Sequence, residues 1–362
     1  TWQPVMRSSQ PPPGFQAGML NGADFHGFAV AANGRIAFDG AVDPDTPRTS
    51  EDDVKCICAT DDRGRLQLVA SQRTARGAGL LSGSARLCIN DAGDVVFGQV
   101  ERSRSSGQGA ISMALHGAVF PLVQPNDEIK LDGARVPIDT ALNPVVNNRR
   151  QIAFFASSGR QPSAVVKFEP GKELETIVHS MMSLPGIPEA QRLEGIVRPI
   201  INHHGTIAFA GVSTIPRVGR RRSPARQGVW WHKSGKLELL AIEGMPAPGT
   251  GGAVFGATRE EGGRPEVFQV GMNRRDQVAI LAHLQHSSTV NKSNDHGIWV
   301  QDERGQWELI VRTGDVLEIA PGDRRVIVKL RTILMSGGED GRPTCLNDRG
   351  EIAYWAAFAD KS

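Results

Sequence analysis

A six-bladed β-propeller, all-β and built from four-stranded antiparallel blades, is the fold this sequence predicts. Three observations predict it. A short hairpin motif recurs six times at near-regular spacing, and two further strand patterns follow each of the first five copies. Glycine and proline are also plentiful, 41 and 22 of 362 residues, as many short strands joined by turns require. The chain is 40% hydrophobic and 22% charged, which excludes a disordered polymer. No apolar run approaches the ~20 residues of a membrane-spanning helix.

The repeat reads Asn, two mostly polar residues, Gly, one more residue, then a small apolar strand usually ending in an aromatic. Its copies are Ala31-Ala-Asn-Gly-Arg-Ile-Ala-Phe38 (Ala31 in place of Asn), Asn90-Asp-Ala-Gly-Asp-Val-Val-Phe97 and Asn147-Asn-Arg-Arg-Gln-Ile-Ala-Phe154. They continue with Asn202-His-His-Gly-Thr-Ile-Ala-Phe209, Asn273-Arg-Arg-Asp-Gln-Val-Ala-Ile280 and Asn347-Asp-Arg-Gly-Glu-Ile-Ala-Tyr354. Successive final residues lie 59, 57, 55, 71 and 74 positions apart.

Each copy codes for a tight β-hairpin. The leading Asn bonds its side chain to the backbone two residues on and starts the turn. Gly at the fourth position supplies the positive φ that closes a short loop. Arg150 and Asp276 replace that Gly, and a left-handed backbone costs more there, so these two turns are expected to be the looser ones. The third strands are read at Val54–Thr60, Ala110–Leu115, Ala164–Glu169, Gly228–His232 and Gly297–Asp302. The fourth are read at Leu66–Ser71, Ala118–Gln124, Leu174–His179, Leu237–Glu243 and Trp307–Arg312. The sixth unit stops soon after its second strand. The N-terminal Trp2-Gln-Pro-Val-Met-Arg7, followed by Pro11-Pro-Pro-Gly14, has the phase of a fourth strand and is expected to close the ring as the last blade's outer strand.

The motifs resemble a bacterial group of tandem-repeat proteins named for the pattern NxxGxxAF, most closely in repeats two, four and six. The likeness extends to Gly297-Ile-Trp-Val300 and to Met245-Pro-Ala-Pro-Gly-Thr-Gly-Gly252 and covers essentially the whole chain as one domain. It implies an exported, often surface-anchored protein, in the periplasm or at the cell surface, with no activity established and no catalytic residue to carry across. The opening Thr1-Trp-Gln-Pro4 shows no leader of its own.

A propeller sorts its loops by face. The Asn turns and the third-to-fourth-strand turns are short and share one face. Longer segments (Asp39–Asp53, Ser213–Gln227, Met245–Glu266, His283–His296 and Thr313–Asp323) fall on the other, where binding is expected. Within Ser213–Gln227, Arg217, Arg220, Arg221, Arg222 and Arg226 form the candidate binding element, since guanidinium groups grip carboxylate, sulfate or phosphate in a planar fork. The loop lacks aromatics for base stacking, and the net charge is only +2, so nucleic acid is not an expected partner.

His283, His286 and His296 bracket one long loop, but no carboxylate stands at matching spacing, so neither a metal nor a cofactor is expected. The acidic residues Asp43, Asp45, Glu51, Asp52 and Asp53 lack the order of a calcium loop. His203 and His204 are read as exposed turn residues. Cys56, Cys58, Cys88 and Cys345 are read as buried thiols, neither disulfide pairs nor zinc knuckles. Nucleophile-elbow, phosphate-loop and dinucleotide signatures are all missing.

The expectation is a non-catalytic extracytoplasmic binding scaffold offering its long-loop face to a protein partner or an anionic glycan. It would serve alone or as an accessory subunit of a membrane-associated envelope assembly. The alternative is a carbohydrate-active enzyme, polysaccharide lyase or glycoside hydrolase, working in the central depression.

Overall fold

A computed structural model describes residues 6, 11–15, 19–21, 27–43, 54–71, 87–102, 107–158, 161–214, 225–256, 267–302, 304–332 and 345–359. Among them there is no helix; every regular element is a β-strand. The chain divides into two compact units, one ending at His179 and the other beginning at Ser180.

In the first unit, sheet 1 aligns Ile36–Asp43, Val54–Thr60 and Leu66–Ser71 antiparallel, with Met19–Asn21 and Phe28–Val30 both on the outer side of Ile36–Asp43. Sheet 2 holds Leu87–Ile89, Val95–Arg102, Gly107–Leu115 and Ala118–Val123; sheet 3 holds Thr140–Val146, Ile152–Ser158, Gln161–Phe168 and Glu175–His179. They meet at one parallel bridge, Thr140 to Gly109. A Cβ on Gly109 would stand 2.9 Å from Cγ2 of Thr140, so the close approach needs glycine.

In the second unit, sheet 4 runs Arg192–Ile201, Ile207–Thr214, Arg226–Lys233 and Lys236–Ile242. Sheet 5 runs Phe268–Met272, Val278–His283, His296–Gln301 and Trp307–Arg312. Sheets 2 to 5 thus each have the four antiparallel strands that the repeat predicts, in chain order.

The sixth repeat departs from the expectation. Its hairpin shrinks to one bridge, Leu346 to Ile352, and Tyr354–Phe358 pairs instead with Asp323–Thr332. That long strand turns back on Val316–Ala320, so most of the segment read as a loop at Thr313–Asp323 is strand. A second unforeseen hairpin, Glu128–Leu131 with Ala134–Pro137, precedes sheet 3. Both hairpins turn through residues with positive φ, Asp132-Gly133 and Gly322. Of the proposed closing strand Trp2–Arg7, only Met6 lies within the described residues. It is not in a strand and packs beside Phe38, Val42, Cys56 and Cys58 of sheet 1.

The alternation Ala-Phe at the motif's end explains how sheets stack. Successive strand residues face opposite sides. Ala37 with Ala29 and Ala59 makes a small-residue face on sheet 1, and Phe97 of sheet 2 packs in the same cluster. Between sheets 4 and 5, Ala208, Ala210 and Ala241 stand opposite Ile280, Phe268 and Trp299. In both pairs one sheet presents small residues and the large residues of its neighbour fill the space, as dense interior packing requires. Phe97, Phe154 and Phe209 are fully buried, as the repeat predicts. All four cysteines are buried and none is in a disulfide, and burial pushes the Cys345 thiol up to about 11.

A Pro-Gly clip recurs between sheets. Trp230 donates its indole N–H to the Pro185 carbonyl at 3.0 Å, and Trp299 donates to Pro248 at 2.9 Å. The following Gly186 and Gly249 have positive φ and lie against Leu239 and Leu309. Gly14, after Pro11-Pro-Pro13, meets Leu68 in the same way.

Candidate functional site

The two ends of the sheets carry different chemistry. At the turn end, each described Asn binds its own loop: Oδ1 of Asn202 accepts from the backbone N–H groups of His204 and Thr206, both at 3.0 Å. Asn147, Asn273 and Asn347 repeat the pattern. The amide nitrogen then reaches the next turn. Asn90 donates to the Asn147 carbonyl at 3.2 Å, Asn202 to that of Asn273 at 3.2 Å, and Asn273 to that of Asn347 at 2.9 Å. Where Ala31 replaces Asn, Asn33 takes over by donating to the Asp91 carbonyl at 2.7 Å.

The two turns without glycine are not loose. Arg150 (φ 61°) and Asp276 (φ 60°) adopt the left-handed backbone, and their side chains join neighbouring turns. Nε of Arg150 donates to Oδ2 of Asp94 at 2.8 Å. Asp276 accepts from Asn202 and pairs with Lys233 at 2.9 Å. A charge-assisted bond offsets the backbone cost. Burial alone would raise the Asp276 carboxyl, but the bonds from Lys233, Thr206 and Asn202 hold it below the usual carboxylate range.

At the opposite end of sheet 5, four titratable groups converge. His283 closes one strand and His296 opens the next, directly opposite in register, with ring centroids 3.8 Å apart. Asp295 precedes His296 and is nearly buried. Its Oδ1 lies 2.7 Å from Nδ1 of His296, and its Oδ2 lies 2.8 Å from Nε2 of His286.

The backbone holding these groups is tied down. Leu284 N–H donates to the Asp295 carbonyl at 2.7 Å, and His296 N–H donates to Oγ1 of Thr313 at 3.1 Å. Turns at Ser287–Val290 and Asn291–Asn294 brace the loop, and Val290 is buried beneath it. Burial pushes the Asp295 carboxyl up, yet hydrogen bonds from His296 and His286 outweigh it and hold the group below its ordinary range. The carboxylate therefore stays ionised among three imidazoles. Such a set can hold a cation or, with the carboxylate fixing a ring's tautomer, accept a proton.

Asp295 is the residue that histidine spacing alone overlooked: the missing carboxylate stands next to His296, inside the loop. Of the arginine element, Arg217, Arg220, Arg221 and Arg222 lie outside the described residues. Arg226 is exposed at the start of its strand, opposite Ser213, at the long-loop end of sheet 4. Asp45, Glu51, Asp52 and Asp53 also fall outside the described residues. Among those described, no helix is long and apolar enough to cross a membrane.

No curated protein matches the sequence. Among solved structures, the chain is similar to a polysaccharide lyase, an ulvan lyase, at 11% identity and a TM-score of 0.42 over 87% of this chain and 80% of that one. An α-L-arabinofuranosidase from Fusarium graminearum matches at 10% identity and a TM-score of 0.38, covering 82% and 83%. A Trypanosoma rangeli sialidase matches at 10% identity and a TM-score of 0.38, covering 86% and 53%. Likeness this loose supports no statement about activity. The family model that matches spans residues 70–362, most of the chain, and this protein therefore belongs to that family of unknown function, DUF7453.

Proposed function

We propose that the chain is a non-catalytic, extracytoplasmic binding propeller of six blades, of the NxxGxxAF repeat kind, whose long-loop end engages an anionic glycan. The observation that carries this reading is the division between the sheet ends. Turn-end asparagines are consumed in bonds from one turn to the next, whereas the loop end of the second unit gathers three histidines around Asp295 and has Arg226 exposed at the start of its strand. Scaffold constraint at one end with variable, cation-rich loops at the other is how rigid β-folds carry binding sites. The matching Pro-Gly clips at Gly14, Gly186 and Gly249 support the repeat phase on which ring closure by the N-terminal segment depends.

The Asp295-buttressed histidines favour one second reading, a polysaccharide lyase using an imidazole as proton acceptor. Polygalacturonate, alginate and heparin, with neutral laminarin as control, separate the possibilities. Saturable binding to acidic polymers alone, weakened by salt and without new ultraviolet absorbance from an unsaturated uronate, is the expected result. Product absorbance would replace the binding reading with the lyase; equal affinity for laminarin would remove the anionic preference.

A further inference from the structure

The His283–Asp295–His296 group has a property that glycan binding does not require. One nitrogen of each imidazole and one Asp295 oxygen lie within 4.8 Å of one another. Ligands at ~2.0–2.2 Å from a zinc-like ion sit closer together than that, so binding an ion calls for side-chain rotation and exchanges the His296 Nδ1–Asp295 Oδ1 hydrogen bond for metal contacts. We propose that His283, Asp295 and His296 form a binding site for a divalent transition-metal ion, with His286 as its outer partner.

Three features support the assignment. First, the two histidines face each other across one strand pair with ring centroids 3.8 Å apart. Second, Asp295 brings one negative charge to a nearly buried position, partly compensating the charge of a bound ion. Third, Nε2 of His286 sits 2.8 Å from the other Asp295 oxygen, the outer hydrogen bond that orients a ligating carboxylate.

Two imidazoles and one carboxylate suit zinc, cobalt, nickel or copper and not calcium or magnesium, which take oxygen ligands. Three protein ligands leave a position open to water or to an oxygen of a bound molecule. The site stands independently of the glycan reading, since its ligands need no polysaccharide to assemble.

The test uses the full chain, stripped with chelator and titrated with Co(II) and with Zn(II). One equivalent of Co(II) should give the visible bands of a low-coordinate nitrogen–oxygen site, and Zn(II) should displace them. His283→Gln, Asp295→Asn and His296→Gln should each weaken Zn(II) binding at least tenfold. His203→Gln with His204→Gln, in a turn at the other sheet end, should leave it unchanged.

Should a variant fail to fold by circular dichroism, imidazole NMR of the wild type decides. Co(II) must broaden or shift the rings of His283, His286 and His296 before those of His203 and His204. Absence of one-equivalent binding, or perturbation centred on His203 and His204, would overturn the proposal.

Discussion

In the second unit, the turn end and the loop end of one sheet answer to opposite constraints. Between Asn273 and Gln277 the turn is closed by its own asparagine, which also donates onward to Asn347. Between His283 and His296 a longer loop carries Val278–His283 on to the next strand, His296–Gln301, and is closed by its own Ser and Asn turns. The first connection must match its neighbours in height and geometry, because its bonds cross to them. The second returns to register at His296 and is held by its own turns and by Val254–Gly256 and Arg312–Thr313, with no described asparagine bond passing on from it to another repeat. Side chains are therefore free to vary where no neighbouring turn fixes them, and that is where histidines gather around Asp295. Repetition builds the scaffold, and release from repetition leaves room for a site.

The largest expected effect lies at the scaffold. Phe209 is fully buried and stacks on Trp230 with centroids 6.1 Å apart. Phe209→Ala should cost ~3–5 kcal/mol in denaturant unfolding, as should Phe97→Ala and Phe154→Ala. A loss under ~1 kcal/mol at all three, well below that range, would mean that the motif aromatic is not what holds the sheets. No substitution of an exposed residue inside the His283–His296 loop should approach this cost, and one that did would erase the distinction between the ends.

How far the sequence carried depended on distance along the chain. The third and fourth strands of sheet 1 were legible to the residue, because alternation and turn residues are local signals. So was the bond from Asn Oδ1 to the backbone two residues on. The onward bond from the amide nitrogen was not, since its partner lies 57 to 74 residues away and no neighbouring residue announces it. The same blindness made Arg150 and Asp276 look like weak points, when each reaches a charged or polar partner in another turn. Asp295 was hidden for a different reason: a ligand set was sought in the spacing of histidines, while the carboxylate stood beside one of them.

Arg150 offers the next test. Replacing it with Gly relieves the left-handed backbone but strips Asp94, whose side chain is only 3% exposed, of its ion pair. Arg150→Gly should therefore destabilise the protein by about 1–3 kcal/mol, the range for a charged hydrogen bond removed from a buried partner. A neutral or stabilising result would restore the sequence-based view that this turn is strained and little more.

Asp276 sharpens the comparison through pH. Its folded-state carboxyl is held below the ordinary value, so the stability it adds is fully present above the unfolded value of about 4. That contribution is lost as pH falls through the lower folded value. Wild type should exceed Asp276→Asn in stability at neutral pH, and the gap should narrow as the pH is lowered past that point. A gap independent of pH would show that the side chain acts through shape and hydrogen bonding alone.

The smallest effect on stability, and the most telling for function, is expected from Arg220, Arg221 and Arg222. They stand between Thr214 and Arg226, the strand residues that frame the loop end of sheet 4. No acidic residue occurs between Thr214 and Gln227, so the segment carries an uncompensated positive charge of its own. Replacing all three with serine should leave the melting temperature within a degree or so, the usual size of a change outside a packed core. Binding to an acidic polysaccharide should weaken at low salt, and the difference from wild type should shrink as salt rises, because exposed charges are screened over ~8 Å at physiological ionic strength. If the triple variant binds as tightly as wild type at low salt, the arginines are not the grip. The loop end of sheet 5 then becomes the place to look.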